Sequence, residues 1–180
     1  MDAAQALALF DARDPTERAE LEEMTRLAKS VEPFARSSPF HLTSSALIVA
    51  PERAEVLLRW HSRHLRWMQV GGHGDAGESD PYQVALREAS EESGLMDLRP
   101  FPGPSPEIVQ VAVVDVASSL TEPAHRHGDV RYLMATSRPD EILPEAENTP
   151  LRWCDRELAE RLVEEENLEE LLRRAFALLA

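Results

Sequence analysis

The stretch from Gly71 to Leu95, GGHGDAGESDPYQVALREASEESGL, decides the fold of this chain. Asp80 followed by Pro81 is typical of a helix start, because Asp caps free N–H groups and Pro suits the first helical position. Gly94 is suited to the left-handed conformation that ends many helices. The stretch therefore predicts a helix over residues 81–93, preceded by a glycine-rich loop.

Three glutamates of this predicted helix, Glu88, Glu91 and Glu92, lie within about 100° of one another on one face. Like charges at this spacing repel, and a cation among them would relieve the repulsion. Oxygen ligands of this kind suit Mg²⁺ or Mn²⁺ rather than Zn²⁺. Arg87, four residues before Glu91, can orient the cluster. A solvated acidic face is the alternative for the glutamates taken alone, and the glycine-rich loop beside them favours the metal site.

The segment from Gly72 to Leu95 resembles the signature of the Nudix hydrolases. That signature is Gly, five residues, Glu, seven residues, Arg-Glu, an apolar residue, any residue, Glu-Glu, any residue, Gly and an apolar residue. The segment fits, except that eight residues instead of seven separate Glu78 from Arg87. We expect the extra residue to lie in the loop at Ser79 or Asp80, where it leaves the helix register unchanged.

The resemblance implies an α/β fold, namely a Nudix-type α/β/α sandwich with a mixed β-sheet. It implies hydrolysis of a nucleoside diphosphate-linked substrate: a nucleotide sugar, ADP-ribose, a dinucleotide or a modified nucleoside triphosphate. It also implies Mg²⁺ or Mn²⁺ as the cofactor. The positions that match the family's site are Glu88, Glu91, Glu92 and the Gly72 carbonyl for the metal, and Arg87 and Glu78 for bracing it.

A general base must take the proton of the attacking water, and members of the family often supply it from a loop outside the signature. The candidates are Glu145 and Glu147, in the segment before Leu151, with a slight preference for Glu147. A solvated loop acid is the alternative for either residue.

Two further segments carry candidate substrate contacts. In an extended segment His125, His127, Asp129 and Arg131 share one face. This face could form a separate metal site, a polar rim, or a strand entry that brings His127 and Arg131 near phosphate. The segment from Val56 to Gly74 has several basic residues, Arg66 among them, and no acidic one. It predicts either a phosphate-facing rim or a solvated hairpin.

Residues 1–39 are expected to form an N-terminal helical extension, and residues 40–180 a Nudix hydrolase domain. The helical extension could supply a lid or the interface of a homodimer. Asp155 and Asn167 look like caps of two closing helices, the last running to about Leu179. Strands are predicted at His41 to Ala50, Glu55 to His61, Trp67 to Val70, Ile108 to Ala117, Asp129 to Ser137 and Leu151 to Cys154.

Composition limits the classes of function. The net charge of −14 disfavours binding to nucleic acid polymers and anionic lipid, so we expect a small-molecule nucleotide substrate. No segment resembles a signal peptide or a membrane span, and we expect a cytoplasmic location. A single cysteine, Cys154, excludes a disulfide framework within the chain. The alternative function is a non-catalytic nucleotide-binding or protein-interaction module of the same fold.

Overall fold

A computed structural model describes residues 1–119 and 122–180 of the chain. Its helices are α1 (Ala3–Leu7), α2 (Pro15–Leu27), α3 (Pro81–Ser93), α4 (Arg156–Leu162) and α5 (Glu166–Leu179). Its strands are β1 (Phe40–Ala50), β2 (Glu55–His61), β3 (Arg66–Met68), β4 (Val70–His73), β5 (Arg99–Pro100), β6 (Ile108–Val116), β7 (His125–Ala135) and β8 (Leu151–Cys154).

The strands form one mixed sheet. Strands β1 and β7 run parallel, with Phe40 opposite Arg126 and Val49 opposite Ala135. Strands β2 and β4 pair antiparallel with β1, and β6 pairs antiparallel with β7. The long β1–β7 pairing places the starts of these two strands side by side, close to the end of β4. The predicted mixed sheet is therefore confirmed.

Alternation along β1 separates the two sides of the sheet. Ala46 and Ile48 face the core that also contains the buried α3 residues Val84, Ala85 and Ala89. Leu47 and Val49 face the second core, which contains residues of α4 and α5 such as Ala159 and Leu172. Helices thus cover both faces, and the predicted α/β/α sandwich is confirmed.

Helix α3 has the predicted bounds for the predicted reasons. The Asp80 carboxylate accepts the N–H of Tyr82 at 3.0 Å, and Pro81 occupies the first turn. Gly94 ends the helix at φ 72°, and its N–H donates to the Ser90 carbonyl at 2.9 Å. The extra residue of the signature therefore lies in the loop before the helix.

The N-terminal helices share the core of the sheet domain. Met24 of α2 is completely buried, and Ala3 of α1 donates its N–H to the Ser79 carbonyl at 2.9 Å. Glu17 of α2 forms a buried ion pair with Arg174 of α5 at 2.7 Å. The division into residues 1–39 and 40–180 stays a prediction.

Three predicted boundaries were wrong. The strand predicted at Trp67 to Val70 is two strands, β3 and β4, with Gln69 between them. Strand β7 begins at His125 instead of Asp129, because pairing with β1 and β6 extends it. Helix α5 begins at Glu166 after Glu165, so Asn167 is not its cap; the Asn167 side chain accepts from Arg131 instead. In the part of the chain that the structure describes, no helix has the length and apolar character needed to cross a membrane.

Candidate active site

Arg87 connects the loop before α3 to the carboxylates on it. Its Nε and Nη2 donate to the two oxygens of Glu78 at 3.2 and 2.9 Å. Its Nη1 donates to Glu88 at 2.7 Å and to Glu91 at 3.2 Å. Nη2 also donates to the His73 carbonyl at 2.9 Å. The Glu78–Arg87 pairing therefore tolerates the extra residue between them.

Gly72 lies directly against the Glu88 carboxylate. Gly72 belongs to β4, where it pairs with Ser44 of β1. A Cβ atom on Gly72 would lie 2.6 Å from Glu88 Oε2 and 2.7 Å from Glu88 Cδ. Only a residue without a side chain leaves room for the carboxylate, so the glycine brings backbone and carboxylate together.

Glu92 has partners on β2 and β4. It accepts the Gly71 N–H at 3.0 Å, and its other oxygen lies 3.3 Å from Arg59 Nη2. The same Arg59 nitrogen is 3.2 Å from Glu145 in the loop before β8. Arg59 is buried. It is one of the basic residues of the segment from Val56 to Gly74, but its contact with Glu92 could not be predicted, because only the fold brings β2 to the end of α3. The lack of acidic residues around it was the available signal.

Burial has the largest effect on the pKa values of Glu88 and Glu92, the two inner carboxylates of the site. It raises the pKa of Glu92 to about 7, against the opposing effects of the Gly71 N–H and Arg59. Burial also raises the pKa of Glu88, although Arg87 donates to it. By contrast, the hydrogen bonds from Arg87 lower the pKa of Glu78. The site therefore holds two desolvated carboxylates whose negative charge the neighbouring arginines only partly offset.

The two candidate loop acids differ in their surroundings. Glu145 reaches Arg59 and so belongs to the group around Glu92. Glu147 is exposed and forms no ion pair with a described residue. Glu145 is therefore the one of the two that contacts this group, whereas the slight preference from sequence was for Glu147.

The family model described as the NUDIX domain matches residues 39–175. The chain belongs to the Nudix family. The predicted family is therefore confirmed, and membership makes this chain a Nudix hydrolase. The comparison with curated proteins gave no match.

Solved structures share the Nudix fold of this chain. An Ap4A hydrolase of C. elegans is 22% identical, with a TM-score of 0.59, covering 77% of this chain and 96% of its own. A NUDIX-family hydrolase from Clostridium perfringens is 21% identical, with a TM-score of 0.56 and coverage of 78% and 98%. The E. coli dihydroneopterin triphosphate pyrophosphohydrolase is 19% identical, with a TM-score of 0.59 and coverage of 76% and 94%.

The Nudix carboxylates fit a divalent cation of the Mg²⁺ or Mn²⁺ type. Their donors are all oxygens, which these cations prefer. The space that a Cβ on Gly72 would fill brings the backbone against Glu88. Glu88 and Glu92 are the inner carboxylates of the cluster, whereas the Glu91 side chain is 57% exposed and reaches the cluster from outside.

Arg131 and Arg66 of this Nudix chain form their ion pairs and hydrogen bonds away from the α3 carboxylates. Arg131 is buried on the face opposite α3, because it alternates with Val130 and Tyr132 along β7. Its Nε donates to Asp129 at 2.8 Å, and its Nη1 donates to Gln110 and Asn167. This corrects the expectation that Arg131 lies near phosphate. Arg66 forms an ion pair with Glu165 at 2.5 Å, not with the α3 carboxylates.

His127 lies in a cluster of histidines instead of beside the α3 carboxylates. Its ring contacts those of His73, His125 and His41, with centroids 4.8, 4.8 and 4.9 Å away. Burial lowers the pKa of His127 to about 4 and that of His73 to about 3. The sequence places His125 and His127 on one face of a strand, but it does not group His41 and His73 with them, because these lie on other strands.

Proposed function

We propose that this Nudix hydrolase cleaves a phosphoanhydride bond in a nucleoside diphosphate-linked substrate and uses Mg²⁺ or Mn²⁺. The substrate classes are nucleotide sugars, ADP-ribose, dinucleotides and modified nucleoside triphosphates. One observation supports the proposal above all: Arg87 gathers Glu88 and Glu91 beside Glu92, and Glu88 lies against the backbone of Gly72.

When bound, Mg²⁺ or Mn²⁺ would neutralise the diphosphate charge and lower the pKa of the attacking water. Glu88, Glu91, Glu92 and the Gly72 carbonyl would hold it. The site has more carboxylates than guanidinium groups. Because the buried carboxylates are removed from water, a bound cation would stabilise their negative charge.

Arg87 acts in this proposal as a positioning residue. A guanidinium has five N–H donors, and Arg87 makes five hydrogen bonds, all to protein acceptors. A phosphate group could bind Arg87 only by displacing one of them. Arg87 therefore fixes the carboxylates and the His73 carbonyl in place and does not carry the substrate.

Glu145 is the proposed proton acceptor for the attacking water. Its side chain is 56% exposed, so it can reach solvent, and Arg59 links it to Glu92. An exposed carboxylate beside the ligand cluster can take a proton from water and release it to bulk solvent. Glu147 lacks that link to the site.

The test is a hydrolysis screen over nucleotide sugars, ADP-ribose, dinucleoside polyphosphates, NADH and modified nucleoside triphosphates. The proteins of similar fold named for Ap4A and dihydroneopterin triphosphate justify adding both compounds. We expect turnover with Mg²⁺ or Mn²⁺ and none in excess EDTA.

Glu91→Gln and Glu92→Gln should each lower turnover by about 10²-fold or more while the fold survives. Glu160→Gln, at an exposed position on α4, is the matched control and should keep full activity. Full activity of both site variants would refute the proposal. Tight nucleotide binding by calorimetry without turnover, under saturating Mg²⁺ and Mn²⁺, would instead support the non-catalytic module.

The homodimer, the cytoplasmic location and the exclusion of nucleic acid polymers stay predictions of the sequence.

A further inference from the structure

Four of the six histidines of the chain converge on the sheet face opposite α3. His41 lies on β1 opposite His127 of β7, so both side chains point to the same face. His73 of β4 lies opposite Thr43, two residues from His41, and shares that face. His125 precedes His127 by two residues on β7. Three strands that are distant in sequence therefore place four imidazoles together.

The nitrogen atoms approach as the ligands of one ion would. One ring nitrogen of each histidine lies within 4.8 Å of the other three. His127 Nε2 is 3.2 Å from His73 Nε2 and 3.0 Å from His125 Nε2. A tetrahedral Zn²⁺ with bonds of about 2.0–2.1 Å separates its nitrogen ligands by roughly 3.3 Å. Small side-chain rotations would bring the widest pair to that spacing.

Hydrogen bonds on the outer side of the rings orient the inner nitrogens. His41 Nδ1 lies 2.8 Å from the Ser38 carbonyl, and His125 Nδ1 lies 2.9 Å from the Pro123 carbonyl. A carbonyl only accepts, so each Nδ1 carries the proton and each Nε2 presents a lone pair. Metal-bound histidines commonly have this arrangement, with the second nitrogen donating to a carbonyl.

The cluster is incompletely satisfied without a cation. His41 Nε2 is buried and has no hydrogen-bond partner among the described residues. A proton on His127 Nε2 could serve one of its two close contacts, but not both. A buried acceptor without a partner is costly, and a positive ion at the centre would satisfy all four nitrogens.

We propose that His41, His73, His125 and His127 bind one Zn²⁺ ion. Four imidazole nitrogens suit Zn²⁺ and related transition metals, whereas Mg²⁺ and Mn²⁺ prefer oxygen ligands. A complete set of four protein ligands leaves no open position, which is typical of a structural site. This site is therefore chemically distinct from the α3 carboxylates and does not depend on the proposed hydrolysis.

The position of His73 gives the ion a role in the fold. His73 follows Gly72, and its carbonyl accepts from Arg87. An ion bound to the His73 ring would join β4 to β1 and β7 on one face of the sheet. On the other face Gly72 lies against Glu88. The ion would thus hold in place the short strand that supports the carboxylate site.

The test is Zn²⁺ titration of the full chain, purified without a polyhistidine tag and stripped with chelator. Excess Mg²⁺ is present to occupy the carboxylates. We expect one Zn²⁺ per chain by calorimetry, a higher unfolding temperature, and the intense visible absorption of tetrahedral cobalt when Co²⁺ replaces Zn²⁺. Binding of one Co²⁺ per chain without that absorption would overturn the proposal. This measurement uses the unsubstituted chain, so it does not depend on whether a variant folds.

Substitutions locate the ion. His127→Gln, which removes the central ring, should weaken Zn²⁺ binding by at least about a hundredfold. His64→Gln is the matched control, because His64 is exposed and its ring packs against that of His61, outside this cluster. Glu88→Gln/Glu92→Gln should leave Zn²⁺ binding unchanged. Binding that survives His127→Gln, or that is lost with the two glutamates, would overturn the proposal.

Discussion

Gly72→Ala is the substitution whose effect follows most directly from the geometry. The new Cβ would lie 2.6 Å from Glu88 Oε2, well inside van der Waals contact. The atom in its way is the far end of a flexible side chain, so the Glu88 carboxylate can rotate aside. The backbone of Gly72 is not left-handed and accepts alanine without strain. The variant should therefore fold normally but lose the alignment of one metal ligand.

The magnitude follows from the size of the displacement. Restoring a normal contact moves the carboxylate by about 1 Å, and misplacement of this size can cost about 10²-fold in rate. That factor corresponds to about 2.7 kcal/mol of activation free energy. The free energy of unfolding should change by less than about 1 kcal/mol.

The assay pairs steady-state hydrolysis with Mn²⁺ binding by electron paramagnetic resonance, since the latter needs no substrate. Gly103→Ala is the matched control, because a Cβ there meets nothing within 4 Å. Gly72→Ala should lose Mn²⁺ affinity and turnover together, and Gly103→Ala should lose neither. Unchanged Mn²⁺ affinity in Gly72→Ala would show that Glu88 and the glycine backbone do not form the site.

Three further predictions concern other parts of the chain. Arg87→Lys should lower turnover by about 10- to 100-fold in the hydrolysis assay, because an ammonium cannot reproduce five bonds from a planar fork; unchanged turnover would contradict the bracing role. Glu17→Ala should cost about 1.5–3 kcal/mol in urea unfolding, because buried Arg174 loses both hydrogen bonds to Glu17 and keeps those to Glu170 and the Val109 carbonyl, whereas exposed Glu22→Ala should cost little. Cys154 is buried and burial raises its pKa to about 11, so a thiol reagent should react with it only after unfolding, and rapid labelling of the native protein would refute this.

The sequence predicted what local rules determine. The cap at Asp80, the stop at Gly94 and the shared face of the glutamates all lie within one short stretch, where helix geometry fixes the outcome. The Glu78–Arg87 pair also follows from that stretch, because the extra residue could be placed outside the helix.

Contacts between strands that are distant in sequence could not be predicted from such local rules. Arg59 reaches Glu92 only because β2 lies in the same sheet as β4. Arg131 was misplaced because its burial depends on Gln110 and Asn167, which β6 and α5 bring to it. The register of β1 against β4 and β7 likewise determines the histidine cluster. Such registers depend on the packing of the whole sheet, which periodicity along one strand does not specify.

A crystal of the chain soaked in Mn²⁺ and measured at the manganese absorption edge would show whether the α3 carboxylates bind a divalent cation. We expect an anomalous difference peak between the carboxylates of Glu88 and Glu92 and the backbone of Gly72. If a crystal soaked at saturating Mn²⁺ showed no peak there, or a peak only among the histidines, the proposed cation site would be contradicted.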